Sequence, residues 1–174
     1  MYSKRGIDVV MEIDTPAHTG IIAEAYPDYI ACYERSPWNK YALQPPAGQL
    51  RFADPEVMEF TSRLMSAAME STSSPYFGTG GDEFNQACMV IQAAKRGIAA
   101  DSVFSQLEDE PTTRMLEANG WTLNDAIDQF TSKTHGTIRK RRKTPVVWQE
   151  MVCSPAHSSV LLNSITIRSS ITVL

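Results

Sequence analysis

The chain has 174 residues, 43% of them hydrophobic and 21% charged, the composition of one globular domain with a real core, which excludes a disordered tail. A net charge of -4, with an isoelectric point near 5.4, lacks the broadly basic surface that nucleic acid requires, so a neutral or weakly charged small ligand fits better. No stretch approaches the roughly 18 apolar residues of a membrane span, and no hydrophobic signal segment follows Met1-Tyr2-Ser3-Lys4-Arg5. Cys32, Cys88 and Cys153 are too few for a disulfide-built fold and lack the close pairing of a zinc site, which leaves one bridge plus one free thiol open.

Along the chain, Val9-Val10-Met11-Glu12-Ile13 is a short β-favouring run that ends at Asp14-Thr15-Pro16, where proline stops the ladder. A long irregular segment follows from Thr19 to Asp54, carrying Tyr26, Tyr33, Trp38 and Tyr41; loops of that length inside a compact domain are usually functional. Asp54-Pro55 then supplies an N-cap and a first-turn proline, and Val57, Phe60, Leu64, Met65 and Ala68 recur at helical spacing. Tyr76-Phe77-Gly78-Thr79 gives the second strand, ending at Gly80-Gly81-Asp82-Glu83. A stretch of weak helical character leads to Asn119-Gly120, and Leu123, Ala126, Ile127, Phe130 and Ile138 mark another helix from about Thr122. The basic run Arg139 to Lys143 falls where that helix ends and where cations complement its dipole. Thr144 to Glu150 is the third strand, and Val160 to Leu162 with Ile165 to Ile167 could begin a further one. Strands alternating with helices at this spacing imply right-handed crossovers and parallel pairing, hence an α/β class, and there is no internal repeat.

All three strands carry their polar letters at the C-terminal end: Asp14 and His18, then Asp82 and Glu83, then Trp148 and Glu150. In parallel α/β folds that edge is where sites are built, so the three clusters converge. A strand ending in Gly-Gly lets the backbone turn sharply, which is what two adjacent acids need if both are to reach one ligand. Each feature also has a plainer reading. The acid pair can cap the next helix, His18 can be satisfied by a backbone carbonyl, and a tryptophan at a strand end is more often core.

Together, Asp14-Thr15-Pro16-Ala17-His18, Gly80-Gly81-Asp82-Glu83 and Val146-Val147-Trp148-Gln149-Glu150 resemble glycoside hydrolase family 20, the β-N-acetylhexosaminidases, with the resemblance running over residues 4–152. The resemblance implies an incomplete (β/α)8 TIM barrel, three to four βα units of its central part, with 1–174 a partial catalytic domain and 153–174 an atypical tail. It implies hydrolysis of terminal non-reducing N-acetyl-D-hexosamine from glycans or chitooligosaccharides with retention, in which the substrate's own acetamido oxygen is the nucleophile. On that pattern Glu83 is the general acid, Asp82 orients the acetamido group, His18 supports Glu83, and Asp14 arranges this edge of the site. Trp148 lines the sugar pocket and Glu150 points toward it. No cofactor or metal is implied.

Cys32 and Cys88 match a disulfide pair of eukaryotic members, the overall flavour is fungal, and the parent protein is expected to be secreted or vacuolar/lysosomal, with homodimers known in the family. A complete barrel takes about 250 residues, so an arginine for the outer hydroxyls, a relay acid, a tyrosine and further tryptophans are expected outside this sequence. A truncated or mis-spliced gene product, unstable and weakly active, is the expectation. Two other classes compete: a non-catalytic sugar-binding remnant, and magnesium-dependent phosphate chemistry on Asp82 and Glu83, which the absence of a lysine after Gly78-Thr79-Gly80-Gly81 disfavours.

Overall fold

The computed structural model describes residues 6–7, 9–88, 109–148 and 166–168. Its centre is a four-stranded, all-parallel sheet of β1 (Met11–Glu12), β4 (Tyr76–Gly80), β5 (Thr144–Trp148) and β6 (Thr166–Arg168), side by side in that order. The β1 ladder continues past its last residue through Ile13 N to Gly78 O (3.1 Å) and Thr15 N to Thr79 O (2.9 Å). The C-terminal ends of β1 and β4 are therefore stitched together just below the two acidic clusters. Parallel neighbours need long crossovers, and these are supplied by α2 (Pro55–Glu70) between β1 and β4, and by α3 (Glu110–Asn119) and α4 (Leu123–Lys140) between β4 and β5.

The helix boundaries follow from side-chain chemistry. Asp54 caps α2 by accepting from Glu56 N at 2.7 Å, with Pro55 at the first helical position. Thr122 and Asp125 form a reciprocal capping box at the start of α4. Asp109 caps α3 and is also gripped by both arms of the Arg51 guanidinium at 2.8 and 2.9 Å, and Gly120 closes that helix at φ 63°. The basic run ends α4 as read. Arg139 and Lys140 fill the last turn, Arg141 pairs with Glu70 of α2 at 3.1 Å, and Lys143 Nζ donates to the carbonyl of Thr72 at 2.8 Å.

Two apolar clusters hold the layers together. Met65, Met69, Phe77 and Ile138 are buried between the sheet and the helices, with Met11 and Ile13 of the first strand against them. The larger cluster, centred on Leu50, Phe52, Val57 and Phe130, joins α2 and α4 to the segment that follows β1. Each fully buried side chain of this size contributes roughly 1.5–3 kcal/mol.

That segment corrects the expectation of an irregular loop from Thr19 to Asp54. It contains 3-10 turns at Gly20–Glu24 and Pro27–Tyr29, the helical turn α1 (Trp38–Tyr41), and an antiparallel pair of β2 (Ile30–Ala31) with β3 (Gln49–Leu50). The elements are too short to show a period in sequence, yet Ala31, Leu50 and Phe52 are wholly buried. The weakly helical stretch before Asn119-Gly120 is the regular helix α3 over its described part, and β6 is Thr166–Arg168, one residue later than read. Val160 to Leu162 lie outside the described residues.

Candidate active site

The alternation of β1 sends Met11 and Ile13 to the helix layer and Glu12 and Asp14 to the other face of the sheet. On β4, Phe77 and Thr79 face the helices, so Gly78 and Gly80 face those two acids. A Cβ on Gly78 would collide with the Glu12 carboxylate, and one on Gly80 with that of Asp14. The missing side chains are the room in which the acids sit. Gly80 (φ 67°) and Gly81 (φ 103°) then turn the chain through conformations that L-residues rarely adopt, and Glu83 itself lies at φ 55°. His18, at φ 57°, closes the turn after β1 in the same left-handed region. Two strained turns at the ends of adjacent strands thereby aim His18 and Glu83 at one another.

His18 Nε2 lies 3.2 Å from Glu83 Oε2, an ion-pair approach without hydrogen-bond geometry, and 4.0 Å from Asp14 Oδ2. Asp14 Oδ1 accepts from Gly81 N at 2.9 Å, which ties the end of β1 to the glycine turn. Burial pushes the Asp14 carboxyl up to about 7, helped by a hydrogen bond to Asp82 and by the charges of Asp82 and Glu12, against the pull of the Gly81 N–H. Asp82 Oδ1 is buried and has no hydrogen-bond partner among the described residues. On the other side of Glu83, Gln44 Nε2 donates to its Oε1 at 3.0 Å. A shallow open cleft borders Glu83 on this side, between His18, Leu43, Gln44 and Asn85.

Trp148 stands half-buried at the end of β5, and its indole N–H donates to Glu12 Oε1 at 3.3 Å. Glu150 lies outside the described residues. Cys32 and Cys88 are joined by a disulfide with their Cα atoms 6.0 Å apart. Beside it, Gln49 and Asn85 exchange two hydrogen bonds, Gln49 Nε2 to Asn85 O (3.0 Å) and Asn85 N to Gln49 Oε1 (3.3 Å). The segment that carries Gln44 is thus fastened to the segment that follows the acid pair. Asp14, His18 and Asp82 also offer one donor atom each within 4.8 Å of one another. That set differs from the Asp82 and Glu83 pair that magnesium chemistry would need, and an imidazole is a poor ligand for a cation that takes oxygen.

Two site residues escape a reading by motif. Glu12 was within reach, because strand alternation places it on the face of Asp14. Gln44 left no signal, since its contact with Glu83 spans 39 positions of chain. Chemically, the constellation is a carboxyl acid touching an imidazole, next to a second carboxylate with a spare acceptor.

The model of glycosyl hydrolase family 20, catalytic domain, matches residues 2–170. The chain belongs to this family. Among curated relatives, a "Beta-hexosaminidase" of Arthroderma benhamiae is 32% identical over 156 residues, covering 86% of this chain and 22% of that protein. A "Chitooligosaccharidolytic beta-N-acetylglucosaminidase" of Bombyx mori is 36% identical over 90 residues, 49% of this chain and 14% of that protein. This family-20 chain therefore spans about a fifth of the length of its fungal relative. Among solved structures, the exo β-N-acetylglucosaminidase of Vibrio harveyi in complex with N-acetylglucosamine superposes with a TM-score of 0.66 at 19% identity, over 98% of this chain and 24% of that one. The chitobiase of Flavobacterium johnsoniae gives 0.62 at 21% identity, over 87% and 20%. These two likenesses establish the fold, an α/β catalytic domain of the TIM-barrel type, which agrees with the parallel sheet and crossover helices of the family-20 chain.

Proposed function

We propose that the chain forms three to four central βα units of a (β/α)8 barrel and carries the acid side of a β-N-acetylhexosaminidase site. The whole protein, on this reading, removes terminal N-acetylhexosamine from glycans or chitooligosaccharides. The observation that carries the reading is the 3.2 Å approach of His18 to Glu83, beside Asp82, at the C-terminal edge of a parallel sheet. The substrate class is supported by the name of the silkworm relative and by the N-acetylglucosamine in the Vibrio structure.

Glu83 gives its proton to the glycosidic oxygen as the bond from that oxygen to the anomeric carbon breaks. The substrate's acetamido oxygen closes on the anomeric carbon, forming an oxazolinium ion. Asp82 accepts the acetamido N–H and offsets the growing positive charge. Glu83, now a carboxylate, takes a proton from water as that water opens the ring, and two displacements at one carbon leave the configuration retained. Adjacent acids suit this division of labour, because one serves the leaving group and the other the internal nucleophile. His18 keeps Glu83 aimed, Asp14 holds the glycine turn, and Trp148 supplies an apolar wall for the sugar face. The Cys32–Cys88 bridge supports an oxidising setting for the parent protein, secreted or vacuolar/lysosomal.

The test is a pair of aryl glycosides that differ only at C2. An aryl N-acetyl-β-glucosaminide is cleaved and the matching aryl β-glucoside, which has no acetamido oxygen, is not. Equal rates on the two would overturn the reading.

A further inference from the structure

Among the described residues, His135 is the most deeply buried titratable side chain whose chemistry the site does not use. It lies on α4 with 1% of its surface exposed, behind the sheet rather than in the cleft. Burial of an imidazole is costly unless its nitrogens find partners. Its Nε2 lies 3.2 Å from Thr79 Oγ1, one hydrogen bond whose direction follows the tautomer. Thr79 is no ordinary strand residue. Gly78 pairs with Val146 and Gly80 with Val147, so the register shifts across Thr79 and leaves it without a partner in the β5 ladder. Bulges of this kind re-aim the side chains that follow them.

The bulge is held from two sides. On the β1 side, the Thr79 carbonyl accepts from Thr15 N at 2.9 Å and from Thr15 Oγ1 at 3.2 Å. On the helix side, the Thr79 hydroxyl meets His135. Four residues on stands Glu83, and between them Gly80 and Gly81 have no side chains with which to fix their own course. The direction of the acid turn is therefore set from outside the glycines, by the Asp14 carboxylate at Gly81 N and by the residue that enters the turn, Thr79.

We infer that His135 is a positioning residue for the acid pair: through Thr79 it fixes the bulge from which Asp82 and Glu83 are turned into the site. The inference rests on the functional reading above for its effect on rate, and on geometry alone for its effect on His18 and Glu83. A neutral imidazole suits the task, since burial, with the Arg139 charge adding to it, pushes His135 down to about 4.

The test uses the full chain with His135→Phe, which keeps a ring and loses the bond, His135→Gln, whose amide regains it, and Thr79→Val, which removes the hydroxyl at constant shape. Two readouts are taken: kcat and KM on an aryl N-acetyl-β-glucosaminide, and the His18 ring resonance in histidine-labelled protein. The expected result is a kcat lower by about a hundredfold in the Phe and Val variants with KM little changed, as for a small misplacement of a catalytic group. The His18 resonance moves in both, and His135→Gln restores both readouts. Thr79→Val carries the test if the phenyl ring prevents folding. An unmoved His18 resonance in a folded Phe or Val variant overturns the inference, with or without turnover. A chain that turns nothing over but shows the resonance shift upholds it and counts only against the functional reading.

Discussion

Asp14 carries the clearest pH signature of any residue in the site. Its carboxyl is raised from 3.8 to about 7 in the fold, so the folded state binds its proton more tightly than the unfolded chain does. The stability this contributes is fully present below pH 3.8 and is lost as pH rises through 7. Asp14→Asn, which cannot ionise, should therefore gain stability relative to the wild type between pH 5 and pH 8 in urea unfolding; parallel pH dependences would contradict the assignment. His135 runs the opposite way. Its depressed value, from 6.5 to about 4, makes the fold lose stability as pH falls through that window, on the order of 3 kcal/mol in all. His135→Phe should remove that slope. Glu12 holds the Trp148 indole, which the proposed function places against the sugar: on that reading Glu12→Leu should raise KM several-fold, about 1 kcal/mol for one lost hydrogen bond, while Glu12→Gln keeps the acceptor and the KM. Glu12 was legible from strand alternation. Gln44 and the bond between His135 and Thr79 were not, because each joins residues far apart in sequence that only the fold brings together.

At the scale of elements, what could be read and what could not divide by length. Helices α2 and α4 are long enough for apolar spacing to repeat, and each begins at a recognisable cap, so Asp54-Pro55 and Thr122 marked them correctly. Strand β4 declared itself by its glycines, whose absent side chains prove to be the space occupied by Glu12 and Asp14. The segment between β1 and α2 did not, since two-residue strands and single turns have no period; what orders them is burial of Ala31, Leu50 and Phe52 and a crosslink. The Cys32–Cys88 bridge closes a separation of 56 residues, for which chain entropy gives about 4 kcal/mol. Reduction, or Cys32→Ser, should lower the melting temperature and loosen the segment that presents Gln44 to Glu83. A melting temperature unchanged by reductant would mean that the hydrogen bonds of Gln49 and Asn85 hold this segment without the crosslink.

For the whole molecule, the sheet is the feature with the largest consequence. Strand β1 pairs with β4 on one side and has no partner on the other among the described residues, and the face bearing Glu12 and Asp14 is polar where a barrel interior would be packed. The central claim is nevertheless chemical: Glu83, aimed by His18 and flanked by Asp82, is the acid of the site. It is tested most directly by the release of phenol from an aryl N-acetyl-β-glucosaminide by the purified chain beside Glu83→Gln. The account predicts slow release by the wild type and a loss of about a hundredfold or more in the variant. Release at the same rate by both, or by neither, would contradict it.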